Sequence, residues 1–255
     1  MILELVFVGL LVFGLLVMGY RGAVHEFQIL QKEYAPNTNW AESLAEQLPL
    51  VIRTLPKHMS GGWSAPRTEQ KAWAVILRTQ GKKYRTTWSN WLLTQTGDVS
   101  PENMLEIAEA AKLDTTIQYW AADEFKRWYW LPPRMPTPYV SLPGYVAGVK
   151  KTSAEATVIT ATDGSPLEIW IAHEGAVPAK VVGPLLGRDP WIQTSEMIPW
   201  ISEVKYVEMV LRPGNALVLP RHWYYAVRVP TNADTPAWYW IGHFHSPISR
   251  LISRD

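Results

Sequence analysis

Leu211-Arg212-Pro213-Gly214-Asn215-Ala216-Leu217-Val218-Leu219-Pro220-Arg221-His222-Trp223-Tyr224-Tyr225-Ala226-Val227 reads as strand, turn, strand, turn, strand. Arg212-Pro213-Gly214-Asn215 has Pro and then Gly in the order of a type II turn, in which the third residue needs a positive φ. Ala216-Leu217-Val218-Leu219 is apolar on both faces, which predicts a strand buried on both. After it, Tyr225, Val227 and Val229 share one face; before the turn, Val207, Met209 and Leu211 do the same. Three consecutive β segments at this spacing predict a β domain.

The same pattern extends outward. Ala156-Thr157-Val158-Ile159-Thr160 and Leu167-Glu168-Ile169-Trp170-Ile171 are strands, expected to meet as a hairpin across Asp163-Gly164, a good tight-turn pair. Ala237-Trp238-Tyr239-Trp240-Ile241 is the last strong strand, and Leu50-Val51-Ile52-Arg53 is a short one between Pro49 and Pro56. Pro132-Pro133-Arg134-Met135-Pro136-Thr137-Pro138 forms a stiff connector. It divides a helix-rich front, residues 25–138, from a strand-rich back, residues 139–255. In the front, residues 39–48 predict a short helix with Asn39 as N-cap, Glu42 three on, and Pro49 as its stop. Ser100-Pro101-Glu102 opens a second, with Met104, Ile107, Ala108 and Ala111 on one face. Lys82-Lys83-Tyr84-Arg85 reads as a solvated loop, with anionic headgroups as the alternative contact. The fold class expected is mainly β with helical additions.

Composition narrows the function. The 255 residues carry 24 Lys+Arg against 23 Asp+Glu, a net charge of +1. Such a chain has no global field to steer it onto nucleic acid, and none is expected as a partner. Cysteine is absent. Disulfides, thiolate metal sites and cysteine nucleophiles are excluded with it. Trp is heavily used, at 14 residues. So much rigid aromatic area suits a packed β core or a large contact surface.

Residues 5–20 contain no charge. As a helix they would reach about 24 Å at ~1.5 Å per residue. The hydrocarbon core is about 30 Å thick, so Ile2 and Leu3 would complete the span on one side and a snorkelling Arg21 on the other. A cleaved signal peptide fits worse. It wants a basic start where this chain has Glu4, and Gly19-Tyr20-Arg21 is a poor cleavage site. Residues 1–24 are therefore expected to be a single transmembrane anchor, with residues 2–20 in the lipid bilayer, and residues 25–255 one domain. Arg21 and Lys32 follow the span and no cation precedes it, which places the body on the cytoplasmic side.

The run 211–227 resembles the late-barrel signature of cupin-like, Jumonji-C-type proteins, Pro-Gly-Asp-x-Leu-x-x-Pro-x-x-Trp-x-His-x-Val. Leu48-Pro49-Leu50-Val51-Ile52-Arg53 is similar to that family's entry strand. Leu167-Glu168-Ile169-Trp170-Ile171-Ala172 with Gly175 is similar to the strand leading to its first metal ligands. The resemblance implies a double-stranded β-helix, a jelly-roll barrel. Active members hold Fe(II) with a His-x-Asp/Glu pair and a distal His, leaving positions open for 2-oxoglutarate and O2. Carried onto this chain, the first His falls near Val181, the acid near Gly183 and the distal His on Tyr225. No His, Asp or Glu occurs in residues 176–187. The resemblance thus implies a barrel whose ligand positions are degenerate, with no cofactor and no catalytic residue. Anchored, ligand-free members resemble proteins of large DNA viruses, seated in a virion or a virus-modified membrane.

Other readings stay open. His243 and His245 share a strand face and could bind metal with His173, Glu174 or His222 as a third ligand, which would make the chain an oxygenase or other metalloenzyme with relocated ligands. The plainer reading makes them polar strand ends. Asp163-Gly164 is turn chemistry. The aromatic triplets Trp128-Tyr129-Trp130, Trp223-Tyr224-Tyr225 and Trp238-Tyr239-Trp240 read first as core. Trp170, Trp223, Tyr225, Trp238 and Trp240 could instead line a sugar site or a protein-docking surface. The function expected is a structural or protein-binding module in a membrane-associated assembly, with other proteins of that assembly as partners. A carbohydrate-binding module is a further alternative.

Overall fold

The alternating runs become strands, and the strands form two sheets around one shared apolar interior. The computed structural model describes residues 28–35, 43, 46–56, 74–79, 82–87, 90, 137–192 and 198–245. In chain order the strands are β1 (Leu30–Glu33), β2 (Leu50–Arg53), β3 (Ala74–Thr79), β4 (Lys82–Thr87), β5 (Thr137–Ser141), β6 (Val146–Lys151), β7 (Ala156–Gly164) and β8 (Leu167–His173). After a short helix α1 (Ala179–Leu185) and a single turn α2 (Ile198–Ile201) come β9 (Val207–Leu211), β10 (Asn215–Pro220), β11 (Trp223–Arg228) and β12 (Ala237–Phe244).

One sheet has six strands in the order β1-β2-β10-β7-β12-β5; the other has four, β6-β11-β8-β9. Among the described residues, β3 and β4 pair only with each other. β1 and β2 run parallel, and the other pairings are antiparallel. Both sheets feed one interior. Ile159, Leu217, Leu219, Tyr239 and Ile241 come from the six-stranded sheet, and Leu167, Ile169, Ile171, Tyr225 and Val227 from the four-stranded one. The period-two rule is obeyed closely on β11. Tyr225 and Val227 point into this interior, while Tyr224 and Ala226 point out. The outward residues, with Trp170 and Ala172, are covered by Val181 and Leu185 of α1. β7 and β10 are buried on both faces, as the unbroken apolar run of β10 requires.

The expected turn at Gly214 is present. Its φ is +85°, and Asn215 N–H donates to the Arg212 carbonyl at 3.1 Å. β9 alternates as expected, with Glu208 and Val210 exposed and Val207 and Met209 half-buried.

Two expectations are corrected. β7 and β8 do not form a hairpin, because Asp163-Gly164 carries the chain from one sheet to the other. β7 pairs with β10 along one edge and with β12 along the other, which leaves no edge for β8. Lys82-Lys83-Tyr84-Arg85 is no loop; it lies within strand β4, paired to β3. The described part of the front holds β1 to β4, with Ser43 and Asn90 helical; most of residues 57–136 lies outside the described residues. β2 also joins the back directly, with Leu50, Val51 and Ile52 opposite Val218, Leu217 and Ala216. Of the helix expected at 39–48, Ser43 is helical and Glu46-Gln47 is a turn. The anchor at 1–24, the helix beginning at Ser100 and the triplet Trp128-Tyr129-Trp130 lie outside the described residues. Among the described residues, no helix is long and apolar enough to cross a membrane.

Candidate functional site

Tyr225 marks the place to look. It stands on β11 between two neighbours, opposite Ile171 of β8 and Lys150 of β6. Directly paired residues point to the same face of a sheet, so these three share a face, on which Tyr225 and Ile171 are buried and Lys150 is exposed. Tyr225 is 2% exposed. Burial pushes its phenol up, and the Tyr139 phenol adds to the effect, so it stays protonated at any ordinary pH. Deeper in, the rings of Tyr139 and Tyr239 stack at 5.2 Å, and the Tyr239 hydroxyl bonds Ser141 Oγ at 3.0 Å. Burial raises the Tyr239 phenol as well.

The structure does not bring the three carried-over ligand positions together. Val181 and Gly183 are on α1, outside the four-stranded sheet, while Tyr225 is inside it. Val181 packs against Tyr224, the outward neighbour of Tyr225. The strand that does lie beside Tyr225, away from β8, is β6. Its Lys150, paired with Tyr225 yet solvent-exposed, was missed in the sequence because Val146-Ala147-Gly148-Val149-Lys150-Lys151 has no clean alternation. Partial burial lowers the pKa of the Lys150 ammonium. Two residues on, Thr152 is buried and fully employed. Its Oγ1 accepts from Trp223 N–H at 2.9 Å and lies 2.9 Å from the Pro220 carbonyl, to which it donates. Gly183 is exposed in mid-helix, and a Cβ there would meet nothing within 4 Å. Gly183→Ala should therefore stabilise the chain by up to about 1 kcal/mol through helix propensity alone. Urea unfolding reads this; a loss of stability would mean that something approaches this backbone closely.

A polar cluster sits where β8 ends and β11 begins, beside the turn that leads to Tyr225. Glu174 accepts from Lys151 Nζ at 2.6 Å through one oxygen and pairs with His222 Nδ1 at 2.7 Å through the other. The Glu174 N–H also donates to the His222 carbonyl at 2.8 Å. These bonds hold His222 at φ +70°, a left-handed conformation that is uncommon outside glycine. His173 is next to them. Its Nδ1 accepts from Gly175 N–H at 3.0 Å, and its ring meets Trp223 edge-on at 5.2 Å. Burial lowers the His173 pKa, and His222 lowers it further. Desolvation opposes the Glu174 charge, but Lys151 and His222 outweigh it and hold the carboxyl below its ordinary range. The carboxylate is thus committed to its neighbours, and the cluster works as a clamp on the turn between β10 and β11. Glu174→Gln should cost about 0.5–1 kcal/mol at neutral pH, the range for partly exposed pairs. Because the folded pKa is depressed, that contribution is present above the unfolded carboxylate pKa and fades as pH falls through the folded one. The gap between wild type and variant should close in acid, as thermal unfolding across a pH series would show. A gap that persists in acid would contradict the charge account.

The other sequence candidates are dispersed. His243 is exposed on β12, with Nδ1 3.1 Å from Thr157 Oγ1, and His245 is buried just beyond the strand. They do not join His173 in a ligand group; among the described residues no three of His, Asp or Glu are grouped to hold a metal. Asp163 Oδ1 accepts from Gly164 N–H at 2.7 Å, as turn chemistry requires. Trp170, Trp223, Trp238 and Trp240 are all at most 3% exposed. They pack, and offer no open platform to a sugar ring or a partner.

No family model and no curated protein matches the chain. Its function must be argued from its own residues.

Proposed function

We propose that the chain is a membrane-anchored β module that works by structure and protein contact rather than by catalysis. The reading takes the domain as a double-stranded β-helix of the cupin-like, Jumonji-C type. Strand order supports it. Between β5 and β12 the chain changes sheets at every step except β8 to β9, and the two sheets interleave as β10-β7-β12-β5 and β6-β11-β8-β9. A jelly-roll wrap produces that alternation.

The observation that carries the non-catalytic reading is the chemistry around Tyr225. The resemblance implies iron beside this strand. Iron wants imidazole and carboxylate donors on one face. The groups that share Tyr225's face are an aliphatic Ile171 and the cation Lys150, and the hydroxyl of Thr152 is already bonded to backbone. These residues do not fit the metal. The anchor rests on the uncharged run 5–20, and the cytoplasmic placement of the body on Arg21 and Lys32. The assembly it serves is read as membrane-associated, in a virion or virus-modified membrane by the resemblance to large-DNA-virus proteins.

One preparation of full-length chain tests both halves. It should stay in the membrane pellet through alkaline carbonate. In detergent it should bind no stoichiometric Fe(II) and should not decarboxylate 2-oxoglutarate. Release by carbonate would overturn the anchor. Stoichiometric iron that disappears with His243→Ala and His245→Ala would overturn the non-catalytic reading in favour of relocated ligands.

A further inference from the structure

Among the described residues, the β3–β4 hairpin pairs with neither sheet. Residues 74–87 contain Arg78, Lys82, Lys83 and Arg85 and no acid. The register sets Ile76 opposite Arg85 and Arg78 opposite Lys83. Alternation then places these four on one face. Ile76 is 47% exposed, and Arg85 is exposed too. Positions 76, 78, 83 and 85 thus share one face of the ribbon, on which Ile76 and Arg85 are exposed.

Such a face is poorly served by water. Like charges directly opposite, as at Arg78 and Lys83, weaken the hairpin. An anionic surface converts that repulsion into attraction, and its interfacial zone accepts an exposed isoleucine. We propose that this face of the hairpin lies on anionic lipid headgroups of the membrane that carries the chain. The proposal rests on the membrane-anchored reading. Nucleic acid also attracts cations, but it offers no place for Ile76, and the near-neutral chain gives it no wider basic field.

The test uses the full chain in vesicles of phosphatidylcholine alone, or of phosphatidylcholine mixed with phosphatidylserine, at low salt. Trypsin is added outside, and cleavage after Arg78 in the outward-facing population is timed by mass spectrometry. Cleavage should be at least about five-fold slower with phosphatidylserine, the effect of a single basic side chain at an anionic surface. High salt should remove the difference, and so should the double variant Lys83→Gln with Arg85→Gln, which leaves Arg78 to be cut. Equal rates in the two vesicle types would overturn the proposal, whatever the anchor does. So would equal or greater protection by duplex DNA added to neutral vesicles. Carbonate release of the chain from neutral vesicles, with protection by phosphatidylserine intact, would overturn the anchor and leave the hairpin's role standing.

Discussion

Tyr225→Ala should destabilise the chain by about 3–5 kcal/mol, the cost of deleting a buried aromatic ring whose neighbours cannot collapse into the space. The ring lies between Ile171, Trp223 and Val227 in the interior that both sheets share, so relaxation would have to move strands. Tyr225→Phe should be nearly neutral, within about 0.5 kcal/mol. No described residue hydrogen-bonds the phenol oxygen, so removing it breaks no partner's bond. Tyr225→His should also destabilise, by placing an imidazole between Ile171 and Lys150, and should recruit no iron. Urea unfolding of the three variants separates these cases. If Tyr225→Ala keeps wild-type stability but loses capture of a membrane-assembly protein, the ring serves a binding site and the packing account fails.

Gly164→Ala should cost about 2–5 kcal/mol, from two additive causes. At φ +77° an alanine is strained by about 1–2 kcal/mol. Its methyl would also press on the Pro236 carbonyl, and overpacking against backbone costs about 1–3 kcal/mol. Neither element gives way easily. Ser165 Oγ donates to the Thr235 carbonyl at 2.6 Å, and Thr162 Oγ1 to the Trp238 carbonyl at 2.8 Å, so the crossing turn is pinned on both sides of the glycine. Gly148→Ala provides the comparison. It would press on Gly187 backbone without the positive φ, and should cost only the overpacking share. Equal losses at the two glycines would show that the backbone conformation of Gly164 contributes nothing.

What the sequence revealed was local. Val207, Met209 and Leu211 alternate plainly, and so do Tyr225, Val227 and Val229, because one face of each strand is buried between sheets. Pro213-Gly214 announced its turn because a positive φ selects glycine wherever the turn leads. The same fact hid the topology. Asp163-Gly164 makes an equally good turn whether the chain returns along the same sheet or crosses to the other, so the expected hairpin of β7 and β8 was a fair reading of residues 163–164 and a false one of their surroundings. The candidate site suffered more. Lys150 lies on a strand with no readable period, and it becomes Tyr225's neighbour only through a pairing between distant segments. The Glu174–His222 pair joins residues 48 positions apart, and no motif marks it. Val181 looked like a ligand position because the strand before it, β8, does flank Tyr225; the chain then leaves the sheet, and α1 ends on its outer face.

The pairing of β2 with β10 also governs how the chain can be made. Val51 meets Leu217, a partner synthesised about 170 residues later. At ~5–20 residues per second, the ribosome needs roughly 10–30 s to deliver it. Until then β2, whose Leu50, Val51 and Ile52 are all buried in the finished domain, waits with its apolar side chains and one strand edge uncovered. Pairings of such long sequence separation form slowly even once the whole chain is present, because loop closure precedes the contacts that reward it. β2 can therefore join the sheet only after β10 has been made, and its apolar side chains stay uncovered on that edge until then.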